Sequence, residues 1–134
     1  QGNFKRGGWI NYFTMNEEDI LQAKCWQWSW NYVPETRYHI WHVPNGKSRR
    51  LIEAVQLKAM GVLAGVHDIH FFWQGRYYIL ELKVGSNILS DKQERYKEAM
   101  TSHGAIFYEV RDFETYKKII LKIVYGDQSS NTSI

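Results

Sequence analysis

The chain is short of cysteine: among 134 residues there is one, Cys25. A lone thiol excludes an internal disulfide framework and any zinc site built from several cysteines, and a reducing compartment is its simplest setting. No apolar run approaches the ~18 residues of a membrane-spanning helix, and no positive-then-apolar segment of the secretory type opens the sequence. Internal repeats are also lacking. Neither sign of charge dominates, since 17 Lys and Arg against 14 Asp and Glu leave +3, with a pI near 9.0. So mild a surplus permits a polyanionic partner without requiring one. The expectation is a cytoplasmic protein with no membrane association.

Aromatic residues are plentiful. Six Trp and nine Tyr within a hydrophobic content of 44% mark a globular chain, and the length suits one domain with a real core. Residues 1–13 read as an N-terminal extension and 14–125 as the domain. The run from Gly126 to Ile134 has the composition of a frayed tail.

Periodicity places the elements. Thr14-Met15-Asn16-Glu17 resembles a capping box, opening a helix to about Asn31 with Leu21, Cys25, Trp28 and Tyr32 in one stripe. Trp26 and Trp30 fall off that stripe and need other cover. Tyr38–Val43 alternates as a strand closed by Pro44-Asn45-Gly46. Lys47–Met60 reads as a second helix with Leu51, Val55 and Ala59 on one face. Ser90-Asp91-Lys92-Gln93 opens a third helix, Ala105–Val110 is a strand, and Asp112–Val124 is a last helix with Phe113, Tyr116, Ile120 and Val124 together. The order α-β-α-β-β-α-β-α predicts an α/β fold, a mixed sheet flanked by helices, with a right-handed crossover between Glu81 and Ile106.

The segment from Gly61 to Lys83 carries the most chemistry. Two runs rich in β-branched and aromatic residues flank Gln74-Gly75, the pattern of a hairpin. If Trp73 faces Arg76, Asp68 sits opposite Glu81, and Lys83 projects from the same face two residues on. A Gly75-Arg76 turn would set Asp68 opposite Lys83 instead, still on that face. Facing carboxylates repel, and a hard divalent cation taking oxygen ligands is the natural charge to place between them. The plain alternative is a solvated hairpin in which Lys83 neutralises one acid. Against it, Ile69, Phe71, Leu80 and Leu82 make the opposite face apolar, and Ile79 and Phe72 on the acids' own face predict that it too is covered. Charges on a covered face need partners.

With the elements placed, the chain resembles the VRR-Nuc family of the PD-(D/E)XK nuclease superfamily, a restriction-endonuclease-like fold, over about Glu18 to Ile120. The resemblance lies in an acid on the first helix, Pro44-Asn45-Gly46 followed by basic residues, and Gly61-Val62-x-Ala64-Gly65-x-x-Asp68. Glu81-Leu82-Lys83, Gln93 and Gly104 then follow in order. One departure is His67, where the family usually has Pro; alternation points His67 away from Asp68. The resemblance implies a divalent-metal-dependent DNA endonuclease, using Mg2+ with Mn2+ able to substitute. Asp68, Glu81 and the Leu82 backbone carbonyl would be ligands, and Lys83 would orient or deprotonate the attacking water. It also implies a homodimer acting on branched DNA such as four-way junctions, encoded by a prokaryote or phage.

Other positions carry two readings. Glu17 and Glu18 flank the apolar stripe equally, and either could simply favour the helix N-terminus; the family pattern of an acid four residues before a Gln selects Glu18 with Gln22. Gln93 is either half of a capping box or, by resemblance, a group aimed at phosphate or water. Lys47, Arg49 and Arg50 are either phosphate contacts at a helix N-terminus or a solvated basic turn. Trp26 and Trp30 suit core or dimer packing better than base stacking. His67-x-x-His70 argues against zinc, because strand positions three apart face opposite ways. Two other functions compete: a non-catalytic nucleic-acid-binding module, which predicts a broken D…E-x-K set, and a metal-free hydrolase such as a glycosidase, which the adjacent Lys83 disfavours. Flap or single-strand cleavage is the alternative to junction cleavage.

Overall fold

The computed structural model describes residues 15–44 and 51–126. Helix α1 (Glu17–Tyr32) begins at Asn16, whose side chain accepts from the Asp19 backbone N–H at 2.8 Å. Glu17, Glu18 and Asp19 in its first turn complement the helix dipole. The cap is therefore Asn16 rather than Thr14, which lies outside the described residues. A short 3-10 turn (Pro34–Thr36) leads to β1 (Ile40–His42), then α2 (Leu51–Ala59), β2 (Ile69–Trp73), β3 (Arg76–Leu82), α3 (Asp91–Thr101), β4 (Ile106–Val110) and α4 (Phe113–Tyr125). Strand β1 is shorter than the alternation predicts, and Tyr38 ahead of it adopts φ 71°.

The sheet order is β1-β2-β3-β4, antiparallel except for the parallel β3–β4 pair. That pair is joined through α3, the crossover expected from the sequence. The β2–β3 register pairs Trp73 with Arg76 and Ile69 with Leu80, so the turn is Gln74-Gly75. Both turn residues have positive φ, 48° and 78°. That is the type I′ twist that matches two-residue hairpins, and glycine at the second position adopts it without strain.

One sheet face packs on α1 and α4. Cys25, Ile69, Phe71, Leu80, Leu82, Val110, Tyr116 and Ile120 are fully buried there, and the Tyr116 and Ser29 hydroxyls meet at 2.6 Å. Phe71→Ala at its centre would cost about 3–5 kcal/mol. Two of the expected helical stripes differ. On α1 the buried positions are Cys25 and Ser29, with Tyr32 73% exposed at the last turn. On α2 no described residue is buried, and Leu51, Val55 and Ala59 all face outward. Trp26 and Trp30 are half-buried within this chain: they stack at 5.4 Å, Trp26 donates from Nε1 to the Ile40 carbonyl, and Arg37 lies over Trp30. Among the described residues no helix is long and apolar enough to cross a membrane.

Candidate functional site

The other face of the hairpin carries Asp68, His70, Phe72, Ile79, Glu81 and Lys83 by strand alternation. Ile79, His70, Glu81 and Lys83 are buried, while Phe72 is 48% exposed. The cover therefore extends over the end of the hairpin that bears the acids and stops short of its turn.

Asp68 precedes β2 and is pinned through its backbone. Its carbonyl accepts from the Val43 N–H at 3.2 Å and from the His42 Nδ1–H at 2.7 Å. The Leu82 N–H donates to Asp68 Oδ2 at 3.0 Å. The loop before it is held from below at Gly65, where φ is +87° and a Cβ would lie 2.5 Å from the Lys92 carbonyl oxygen. Only glycine fits so close an approach. Burial and the neighbouring Glu81 charge push the Asp68 carboxyl up to about 7; the Leu82 N–H opposes the shift and Glu18 adds to it. Two carboxylates thus share one small volume, as the register implies.

Glu81 is 1% exposed and fully engaged. Its Oε1 accepts from His67 Nδ1 at 2.8 Å, and its Oε2 accepts from Gln93 Nε2 at 3.0 Å and lies 3.4 Å from Lys83 Nζ. Lys83 is the cation within the D…E-x-K set, and its backbone N–H is tied to the Val110 carbonyl at 3.0 Å. Gln93 closes the capping box, and its other end meets Glu81. Its Oε1 accepts from the Ser90 N–H at 2.9 Å, closing the capping box, while its Nε2 reaches Glu81. An amide has an acceptor end and a donor end, and the two ends face different groups.

Glu18, half-buried, is the acid of the first turn that reaches this cluster: Asn87 Nδ2 donates to its Oε2 at 3.1 Å, and its charge is felt at Asp68. Glu17 is exposed. Leu82 touches the site through its N–H. Lys47, Arg49 and Arg50 lie outside the described residues.

His67 is the residue that the sequence pattern misplaced. Strand β2 begins only at Ile69, so alternation does not govern position 67, and the imidazole turns toward Glu81. It is fully buried between the rings of Tyr96 and Phe107, with centroids at 5.4 and 5.0 Å, and its Nε2 has no hydrogen-bond partner among the described residues. His70 also touches the Tyr96 ring, so the two histidines do not face opposite ways. Burial lowers the His70 pKa. Beside Gln93 a cleft of about 580 Å³ opens between α2, the Gly61–Gly65 loop and the start of α3.

Among the described residues no three His, Cys, Asp or Glu side chains are grouped to hold a metal ion together. Side chains therefore offer two carboxylates, Asp68 and Glu81, with Glu18 farther out. This all-oxygen set, with Asp68 raised by burial and by the neighbouring acids, fits a hard divalent cation that completes its shell with water and substrate oxygens.

Comparison with protein-family models found no match, and neither did comparison with curated proteins. Among solved structures, a chain described as a VRR_NUC domain protein superimposes with a TM-score of 0.68 at 21% sequence identity, covering 84% of this chain and 91% of that one. The chain has the VRR-Nuc fold.

Proposed function

We propose that the protein is a divalent-metal-dependent DNA endonuclease. The observation that carries this reading is the convergence of Asp68, Glu81 and Lys83 on one face of the hairpin, with Gln93 and His67 fixing the Glu81 carboxylate. Asp68 and Glu81, with the Leu82 carbonyl, would hold Mg2+ or Mn2+. The bound ion would supply Lewis-acid stabilisation of the phosphoryl oxygens and a more acidic water.

The remaining roles belong to the chain. Lys83, held beside Glu81, orients the attacking water or takes its proton at Nζ. Gln93 and His67 keep Glu81 from rotating away, so the ligand geometry is set before substrate arrives. Glu18 stands at the rim near Asp68, where it can position a second ion or a water. The non-catalytic reading predicts a broken set of acids and lysine, and the set here is complete.

The substrate proposed is branched DNA, cut by a two-fold homodimer that brings two sites to two strands. Trp26 and Trp30 are covered by their own chain and no longer motivate that dimer. The apolar surface that supports it is on α2 and the loop after it, where Leu51, Ile52, Val55 and Met60 are exposed. The deciding experiment incubates the protein with linear duplex, flap and four-way-junction DNA, with and without Mg2+, alongside sedimentation at micromolar concentration. Metal-dependent cutting of junctions by a dimer is expected. No cutting of any DNA would reject the nuclease reading, whereas equal cutting of linear duplex, or a monomer, would reject only the junction reading.

A further inference from the structure

One aromatic cluster on the site's own face has no part in these roles. Trp41 on the edge strand β1 pairs with His70 on β2, and their rings stack at 5.8 Å with planes 15° apart. Tyr77 closes the group edge-on, 6.2 Å from Trp41 and 5.7 Å from His70. Both His70 nitrogens are occupied. Nε2 donates to the His67 carbonyl at 3.0 Å, and Nδ1 accepts from the Tyr77 hydroxyl at 2.8 Å. The imidazole therefore cannot turn, and it fixes the indole laid on it. Trp41 remains 38% exposed, and Phe72 beyond it is 48% exposed. Among the described residues most aromatic rings lie in the interior or against their own neighbours; this pile ends in open surface.

The pile adjoins the acids. His70 is two residues from Asp68 on the same face, about 6.6 Å along the strand, and Trp41 lies one strand over, about 4.8 Å. His42, next to Trp41, bonds the Asp68 carbonyl, so the indole and the carboxylate are held in one rigid frame. A nucleotide next to a phosphate held through a divalent ion at Asp68 and Glu81 would reach the indole with its base.

We propose that Trp41, clamped by His70 and Tyr77, is a stacking platform for an unpaired base of the DNA strand whose phosphate sits at Asp68 and Glu81. This rests on the nuclease reading for the strand's placement. A base within duplex has both faces occupied by its neighbours, whereas an unpaired base has a free face. The platform therefore selects DNA with unstacked nucleotides beside the cleaved bond, and it is sequence-tolerant because every base has such a face.

The test measures binding, with Ca2+ in place of Mg2+, of a fluorescein-labelled oligothymidylate and of its abasic analogue of equal length, to the wild type, Trp41→Ala and Trp41→Phe. The wild type is expected to prefer the oligothymidylate by roughly 5- to 100-fold, the range for stacking of one base on an aromatic ring. Trp41→Ala should bring the two oligonucleotides to parity with abasic binding unchanged, and Trp41→Phe should retain part of the preference. Equal binding of both by the wild type overturns the proposal, and so does a preference that survives in Trp41→Ala. The wild-type comparison decides even if Trp41→Ala fails to fold. A protein that shows the preference yet cuts no DNA in Mg2+ keeps the platform and loses the nuclease.

Discussion

His67 donates from Nδ1 to Glu81 Oε1 across 2.8 Å, with both side chains at 1% exposure or less. A hydrogen bond to a buried carboxylate is about twice as strong as one between neutral groups. Gln93 and Lys83 hold the other oxygen, so Glu81 has one rotamer open to it. The same arrangement leaves Glu81 dependent on its partners, because a buried carboxylate oxygen without a donor is costly.

Replacing His67 by Ala removes that donor and opens a cavity between Tyr96 and Phe107. The two costs together come to about 2–4 kcal/mol. Urea denaturation should show the midpoint falling without a change in slope. His67→Asn, which restores a donor, should recover part of the loss. An unchanged midpoint for His67→Ala would mean that Glu81 does not need the imidazole.

Gln93→Glu separates the two jobs of the amide. Glutamate closes a capping box as well as glutamine does, so α3 should stay folded by hydrogen exchange. Its carboxylate would face that of Glu81, and the metal-free protein should lose about 1 kcal/mol at pH 8. Equal stability of wild type and variant at pH 8 would show that Gln93 does not touch Glu81 in solution.

Asp68 gives a stability change whose sign follows from its pKa. The folded value of about 7 lies above the ordinary 3.8, so the folded chain holds the proton between those values. The contribution of this group to stability is complete below pH 3.8 and is lost as pH rises through 7. Asp68→Asn removes that loss. In EDTA its melting temperature should match the wild type near pH 4 and exceed it at pH 8, by a few degrees for about 1 kcal/mol. Cleavage in Mg2+ should vanish in the same variant. Normal turnover would reject the site.

Lys83→Ala should lower the cleavage rate by about 10²–10⁴, the usual contribution of a positioned acid–base group. Mn2+ affinity measured by calorimetry should persist, because an ammonium is not a ligand. Collapse of metal affinity together with rate would make Lys83 a structural counter-ion of Glu81.

Lys47, Arg49 and Arg50 changed together to Ala should weaken DNA binding and flatten its salt dependence. Each phosphate contact removed lowers the log–log slope by about one. An unchanged slope would put the DNA path elsewhere.

Local pattern was enough for the frame of the site. Alternation in the runs around Gln74-Gly75 and the one-residue parity of a hairpin bring Asp68, Glu81 and Lys83 to one face, whichever two-residue turn joins the strands. The capping signals at Ser90 and the α4 stripe were legible for the same reason: they depend on neighbours within one turn of chain. Tertiary structure decided what no local period encodes. His67 stands two residues before β2 begins, so only the packing of Tyr96 and Phe107 turns it to Glu81. Gln93 reaches Glu81 because the crossover lays the start of α3 over β3, twelve residues away in sequence. Trp26 and Trp30 lie off the α1 stripe, yet β1 and the turn before it cover them. Periodicity reports which way a side chain points from its own element; what waits there is set by the elements that fold against it.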